Sequence, residues 1–260
     1  MSIFGNLQEL RERPIPTATL GSKVSRQQIP IDVGGKHNAE PLVAASDYGI
    51  GGENFYASPR NPPYYLAVPG AIEALLLRKS VAEDLARVNK RLSDVGLELH
   101  LFDAWRPKAV QSYFHDFWVP RELRKRRPEL SDDEIAAETG QYWAAPTVDA
   151  SAPAPHSTGG AVDLSVRWAG GDFLWMGSLF DDASAISHTV HFESASADAA
   201  FSFSADEARA NRRLLYWLMV QEGFASNPNE WWHFSYGDQM WAQLTGQPKA
   251  LYAGIEASRS

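Results

Sequence analysis

Cysteine is absent from the 260 residues. That excludes a disulfide framework and any thiolate-held metal, so a metal would have to be held by His, Asp or Glu. A run of about 18 apolar residues is also missing, and no membrane-spanning helix is expected. Basic excess is missing too. The net charge is −8, the wrong sign for a surface that neutralises phosphates, so nucleic acid is not an expected partner. The first residues, MSIFGNLQELRERPIPT, lack a basic stretch followed by an apolar one. They do not read as a secretory signal, and the cytoplasm is the expected location. With 44% hydrophobic and 22% charged residues, the composition is that of an ordinary globular protein.

Neither an internal repeat nor a clean linker divides the chain, which predicts one α+β domain, a central antiparallel sheet flanked by helices. Residues 1–46, with scattered Pro and Gly, read as a partly irregular extension that either wraps the domain or is partly mobile. The domain itself is expected over 47–246, followed by a tail at 247–260. Leu75, Leu76, Val81, Leu85, Val88 and Leu92 fall near a 3.6-residue period. They predict a helix over 72–95, stopped by Gly96. LELHLFDAW (97–105) alternates and reads as a strand. Arg106-Pro107 ends it and opens a helix running to about Trp118. The charged stretch 120–134 reads as a solvated helix and loop, and 144–158 as a loop. AVDLSVRW (161–168) reads as a strand, 207–222 as a helix, EWWHFSY (230–236) as a last strand and 239–244 as a short helix.

Two short segments carry chemistry. In PHSTGGAVDLSV, His156 and Asp163 lie seven residues apart. An extended chain would separate them by roughly 23 Å. A helix would leave roughly 10 Å between them along its axis. Neither lets both reach one zinc ion at about 2 Å. The chain must fold back between them, and Gly159-Gly160 supplies the backbone freedom. The segment alone is also consistent with an ordinary loop, the commoner reading for such a stretch. In EWWHF, Glu230 and His233 would point to opposite faces of a regular strand. A turn after Asn227-Pro228-Asn229 would bring both into one cleft; plain packing of Trp231 and Trp232 is the other reading. Together the segments hold two histidines, an aspartate and a glutamate. That set suits a catalytic zinc with three protein ligands, one open position and a carboxylate to move a proton.

The chain resembles the D-Ala-D-Ala dipeptidases of the VanX type, in the M15 group of zinc peptidases. The resemblance rests on NFYA (54–57), FDAWRP (102–107), HSTGGAVD (156–163), MGSLFD (176–181) and EWWHFSYGD (230–238), in the family's order. It implies an M15 DD-peptidase or hedgehog-like fold and one Zn2+ held by His156, Asp163 and His233. It further implies Glu230 as general base and acid, Arg106 as stabiliser of the transition state, and Asp181 as the carboxylate for the substrate's amino group. Asp182 is the rival of Asp181. Asp103 reads as a structural hydrogen-bonding partner, His188 and His191 as surface histidines, and Trp105, Trp231 and Trp232 as borders of the cleft. One position departs from the family. Ala154 stands where a serine usually helps bind the amine, with Ser151 or Ser157 as substitutes. The implied activity is hydrolysis of D-alanyl-D-alanine or a related D-configured dipeptide, so a small dipeptide is the expected partner; nothing indicates an oligomer. The alternatives are a D,D-carboxypeptidase or endopeptidase acting on peptidoglycan stems, and a non-catalytic zinc-stabilised domain.

Overall fold

The computed structural model describes residues 2–17, 25–143, 145–146, 151–194 and 202–256. The elements in chain order are α1 (Gln8–Glu12), β1 (Leu42–Ala44), β2 (Gly51–Gly52), β3 (Leu76–Arg78), α2 (Lys79–Ser93), β4 (Leu97–Asp103), α3 (Lys108–Ser112), α4 (Val119–Arg126), α5 (Asp132–Tyr142), β5 (Ala161–Trp168), α6 (Phe203–Gln221), β6 (Ala225–Ser226), β7 (His233–Ser235) and α7 (Gln239–Thr245).

Five strands form one sheet in the order β2-β4-β5-β7-β6. The pairs β4–β5, β5–β7 and β6–β7 are antiparallel. The short edge strand β2 runs parallel to β4, so the sheet is mixed at that edge, not antiparallel throughout. Strand β5 is central, and its first six residues are all buried. Strand β4 alternates, with Leu97, Leu99, Leu101 and Asp103 on the buried side. Helix α2 lays Val81, Ala82, Leu85, Val88 and Leu92 into the core, all fully buried. Each of its larger apolar side chains contributes about 1.5–3 kcal/mol.

Register is what places the chemistry. Asp103 on β4 lies opposite Asp163 on β5, and Asp163 lies opposite His233 on β7. Directly opposed residues share a face. Three strands therefore set Asp103, Asp163 and His233 side by side at one end of the sheet.

Several expectations are corrected. The helix over 72–95 begins only at Lys79, because Leu76–Arg78 pairs as a strand with Leu42–Ala44. The helix after Pro107 runs past Trp118 to Arg126, through a wider π turn at Tyr113–Trp118. Pro120 has no N–H to donate, and a wide turn ahead of it relieves its usual clash with the preceding turn. Helix α6 starts at Phe203, four residues before the expected 207, where the Ser202 side chain accepts from the Ala205 N–H. The last strand spans only His233–Ser235; Glu230, Trp231 and Trp232 precede it in a turn. Within 1–46, Leu7 and Leu10 enter the main core, and Arg11 pairs with Glu207 of α6 at 2.9 Å.

Candidate active site

His156 lies in a single 3-10 turn, Pro155–Thr158, just before β5. Gly159 ends that turn at φ +73°, a left-handed conformation that glycine adopts without steric cost. Gly160 is needed for a different reason. A Cβ there would sit 2.3 Å from the Tyr236 carbonyl oxygen. These two residues fold the chain back, so that His156 meets Asp163 across the turn. On the other side, Asn227-Pro228-Asn229 leads into a second tight turn. The Glu230 N–H donates to the Asn227 carbonyl, and the His233 N–H to the Glu230 carbonyl. Glu230 and His233 therefore face one cavity.

His156, Asp163 and His233 are all buried, and one ligand atom from each lies within 4.8 Å of the others. His156 Nε2 is 3.3 Å from Asp163 Oδ2, His233 Nδ1 is 3.0 Å from Asp163 Oδ1, and the two ring nitrogens are 3.1 Å apart. Outer partners orient both rings. His156 Nδ1 faces the Ala104 carbonyl at 2.8 Å, and His233 Nε2 faces Ser235 Oγ at 3.2 Å. With those outer nitrogens donating, a lone pair on each ring points inward. Three acceptors converging at this distance repel one another unless a cation lies between them. The donor set therefore fits a divalent metal. Burial works against the Asp163 charge, but positive charge between the three groups outweighs it, supplied by ring protons of His156 and His233 where no cation takes their place. That charge holds this carboxyl far below the usual carboxylate range, ready to act as a ligand.

Arg106 is braced on several sides. Its Nε donates to Asp103 Oδ2 at 2.8 Å and one terminal nitrogen to Gln111 Oε1 at 3.0 Å. The other terminal nitrogen lies 3.4 Å from both Tyr56 Oη and Asp163 Oδ2. Burial opposes its charge, but Tyr56, Asp103, Asp163 and Asp181 more than compensate and keep it firmly protonated. Asp103 is fully buried and touches Arg106 and His156, a supporting position beneath the site. The Glu230 carboxylate accepts from Asn227 Nδ2 at 2.8 Å and lies 3.8 Å from His233 Nδ1. Burial raises its pKa and Asp163 adds to the rise, against the opposing charge of His233.

Asp181 sits at φ +62°, rare for a residue with a side chain. Its Oδ2 accepts from Tyr56 Oη at 2.8 Å and Tyr64 Oη at 2.9 Å. Burial and the charge of Asp163 push its pKa up to about 7, against Arg106 and the two hydroxyls. Arg212 fixes the loop that carries it, donating to the carbonyls of Met176, Ile186 and His188.

All six candidate residues line one cavity of about 770 Å³. That volume lies in the range of small-molecule sites, about 300–1,000 Å³. Asp182 lines it too. His188 reaches its wall but lies outside the three-ligand cluster. Of the tryptophans expected at the cleft, Trp232 is there. Trp231 donates instead to Ser178, and Trp105 to the Ile255 carbonyl; Trp143 takes a place on the wall. Ser157 does not replace the missing serine: it is not among the residues that line the cavity, and its hydroxyl is turned to the Ala154 carbonyl. Tyr56, Tyr64, Gln111 and Asn227 were not singled out from sequence. Tyr56 alone had a signal, its place in NFYA.

A family model described as D-Ala-D-Ala dipeptidase, peptidase family M15, matches residues 69–247. The chain belongs to the M15 peptidases. Among curated relatives of this M15 chain, the D-alanyl-D-alanine dipeptidase of Synechocystis sp. is 33% identical over 64% of this chain and 71% of its own. That of Escherichia coli K12 is 31% identical over 61% and 65% respectively, and that of Enterococcus faecium 30% over 61% and 72%. A solved structure of VanYB in complex with D-Alanine-D-Alanine aligns with 74% of the M15 chain and 91% of its own, at 15% identity and a TM-score of 0.39. M15 peptidases are metallopeptidases, which agrees with the His156–Asp163–His233 cluster. Among the described residues, no helix is long and apolar enough to cross a membrane.

Proposed function

We propose that the protein is a zinc-dependent dipeptidase hydrolysing D-alanyl-D-alanine or a related D-configured dipeptide. Two imidazoles and one carboxylate, with no thiolate, form the donor set of a catalytic zinc. A zinc ion held there would polarise the scissile carbonyl and lower the pKa of a water to about 7. Glu230 takes the proton from the attacking water and returns it to the leaving amine; its raised pKa suits the return. Arg106, charged throughout, faces the oxygen on which negative charge develops. Asp181 holds the substrate ammonium.

The observation that carries the dipeptide reading is the path from Asp181 to the metal ligand. The Tyr56 hydroxyl touches Asp181 at 2.8 Å and Arg106 at 3.4 Å, and Arg106 touches Asp163 at 3.4 Å. So few contacts leave room for about one residue between ammonium and scissile carbonyl. Incubation with free D-Ala-D-Ala and with a stem pentapeptide tests this reading. Cleavage of the free dipeptide is expected; cleavage of the stem alone would overturn it. One observation favours a D,D-carboxypeptidase as the second reading. Ala154 lines the cavity and offers the amine no hydroxyl.

One equivalent of zinc per chain is expected by elemental analysis. His233→Ala should lose it, because only a histidine and a carboxylate remain. Retention of a full equivalent would exclude His233 as a ligand.

Asp181 gives a pH prediction. Ammonium binding needs its carboxylate form, so the KM for a free dipeptide should fall as pH rises through about 7. The trend should reverse once the substrate amine, with a pKa near 8, loses its proton. The same shift affects stability. The folded value lies above the unfolded value of about 4, so the unfolded chain binds fewer protons between them. Stability from this group is therefore lost as pH rises from about 4 to about 7. Asp181→Asn should remove that loss, raising the Tm of the metal-free protein at pH 8 by roughly 2–4 °C per kcal/mol recovered, while flattening the KM profile.

A further inference from the structure

Among the described residues, two arginines line the cavity, Arg106 and Arg26. Arg106 is engaged by Asp103, Gln111, Tyr56 and Asp163. Arg26 comes from the segment ahead of the family match, which begins at residue 69. It opens a 3-10 turn, Arg26–Gln28, and its guanidinium makes no hydrogen bond or ion pair with another described residue. It is a cation facing the site without a partner among the described residues.

The fold holds it there by several independent contacts. Ile29, three residues on, is buried against Ala242 and Ala250. The buried Gln239 amide of α7 donates to the Ile29 carbonyl at 2.7 Å and to the Ser151 carbonyl at 2.9 Å. The Ala250 N–H donates to the Pro30 carbonyl, and the Asp32 N–H to the Ala250 carbonyl, both at 2.9 Å. Lys249 pairs with Asp32 at 2.7 Å. The extension is stitched to α7 and the chain beyond it, and the stitching delivers Arg26 to the cavity.

Its place relative to the reacting groups is informative. The carboxylates acting on Arg26 are Asp238 and Glu230. The groups around Asp181 are Tyr56, Tyr64, Arg106 and Asp163. Gln239, beside Asp238 at the head of α7, holds Ile29, so Arg26 enters the cavity from the side of Asp238 and Glu230, and Asp181 is not among the carboxylates that act on it. Glu230 delivers its proton to the leaving amine. In a substrate that ends in a free carboxylate, only one carbon separates that amine from the carboxylate. The carboxyl end must then lie on the Glu230 side.

We propose that Arg26 binds the terminal carboxylate of the leaving residue and makes a free carboxyl terminus a requirement for cleavage. Arg26 and Asp181 would then read the two ends of a dipeptide. The proposal rests on the peptidase reading above but not on its dipeptide half, because a stem peptide ends in the same carboxylate. Burial depresses the Arg26 pKa, against Asp238 and Glu230, as expected of a partly dehydrated cation that gains from an anionic ligand.

The test compares the zinc-loaded wild type, Arg26→Gln and Arg26→Lys on D-Ala-D-Ala and on its carboxamide. The wild type should prefer the acid. In Arg26→Gln the KM for the acid should rise about 10–100-fold with kcat much less affected, so the acid-to-amide ratio collapses towards one. Arg26→Lys should keep part of the preference. An Arg26→Gln enzyme with the wild-type ratio, or a wild type that cuts acid and amide equally, overturns the proposal. If only a stem pentapeptide is cut, the dipeptide reading fails, and the same acid-to-amide comparison on the stem decides the role of Arg26. Calorimetric binding of acid and amide to Glu230→Gln protein gives a second readout independent of turnover. Equal affinity for the two there also overturns the proposal.

Discussion

Glu230→Gln should lower kcat by about 10²–10⁴-fold, leave the KM within a few-fold, and retain one equivalent of metal. The argument is geometric. Glutamine has the same shape, and its amide oxygen can still accept from Asn227 Nδ2, which holds the carboxylate at 2.8 Å. Glu230 lies 3.8 Å from His233 Nδ1, outside the cluster that would hold the ion, so metal content should not change. What is lost is the proton acceptor. The wild-type kcat should rise with pH through the raised pKa of Glu230, and this limb should vanish in the variant. The limb belongs to kcat, whereas that of Asp181 belongs to KM, so the two can be separated. A Glu230→Gln enzyme with near-normal kcat would remove the proposed base and with it the mechanism.

How far the site was legible in sequence depends on the distance each residue's signal had to travel. The fold-back between His156 and Asp163 was legible, because a seven-residue gap cannot meet one ion in any regular structure and the two glycines stand inside it. Strand β5 is legible with its full bounds, since AVDLSVRW places Val162, Leu164, Val166 and Trp168 at alternate positions. The strand Leu76–Arg78 carries a helical signal in sequence. Its leucines fit a 3.6-residue period, and only pairing with Leu42–Ala44, more than thirty residues away, makes it a strand. The alignment of Asp103, Asp163 and His233 is likewise a property of register across three strands, which no local pattern encodes. Arg26 and Tyr64 had no sequence signal at all. They reach the site only because the extension packs on α7 and because Asp181 adopts a left-handed backbone that turns its carboxylate to the tyrosines.

Arg106→Lys is the more revealing of two substitutions at that position. Arg106→Ala should cost about 10²–10³ in kcat through loss of the oxyanion donor. It also strips the buried Asp103 of its ion-pair partner, a change worth about 3–5 kcal/mol of stability, so misfolding could account for its inactivity. Lysine keeps the positive charge and should keep most of the fold. It cannot keep the geometry. The guanidinium reaches Asp103 through Nε, Gln111 through one terminal nitrogen, and Tyr56 and Asp163 through the other. A single ammonium cannot span acceptors spread around a planar fork, and it will settle on the carboxylates in place of the developing oxyanion. The expected result is a protein with a Tm close to wild type, a full equivalent of metal, a KM within a few-fold, and kcat down by about two orders of magnitude. Because Arg106 also meets Tyr56, which holds Asp181, a secondary rise in KM would show that the amine site had loosened as well. Arg106→Lys with wild-type kcat would mean that charge alone suffices, and the planar donor array would lose its role in the transition state.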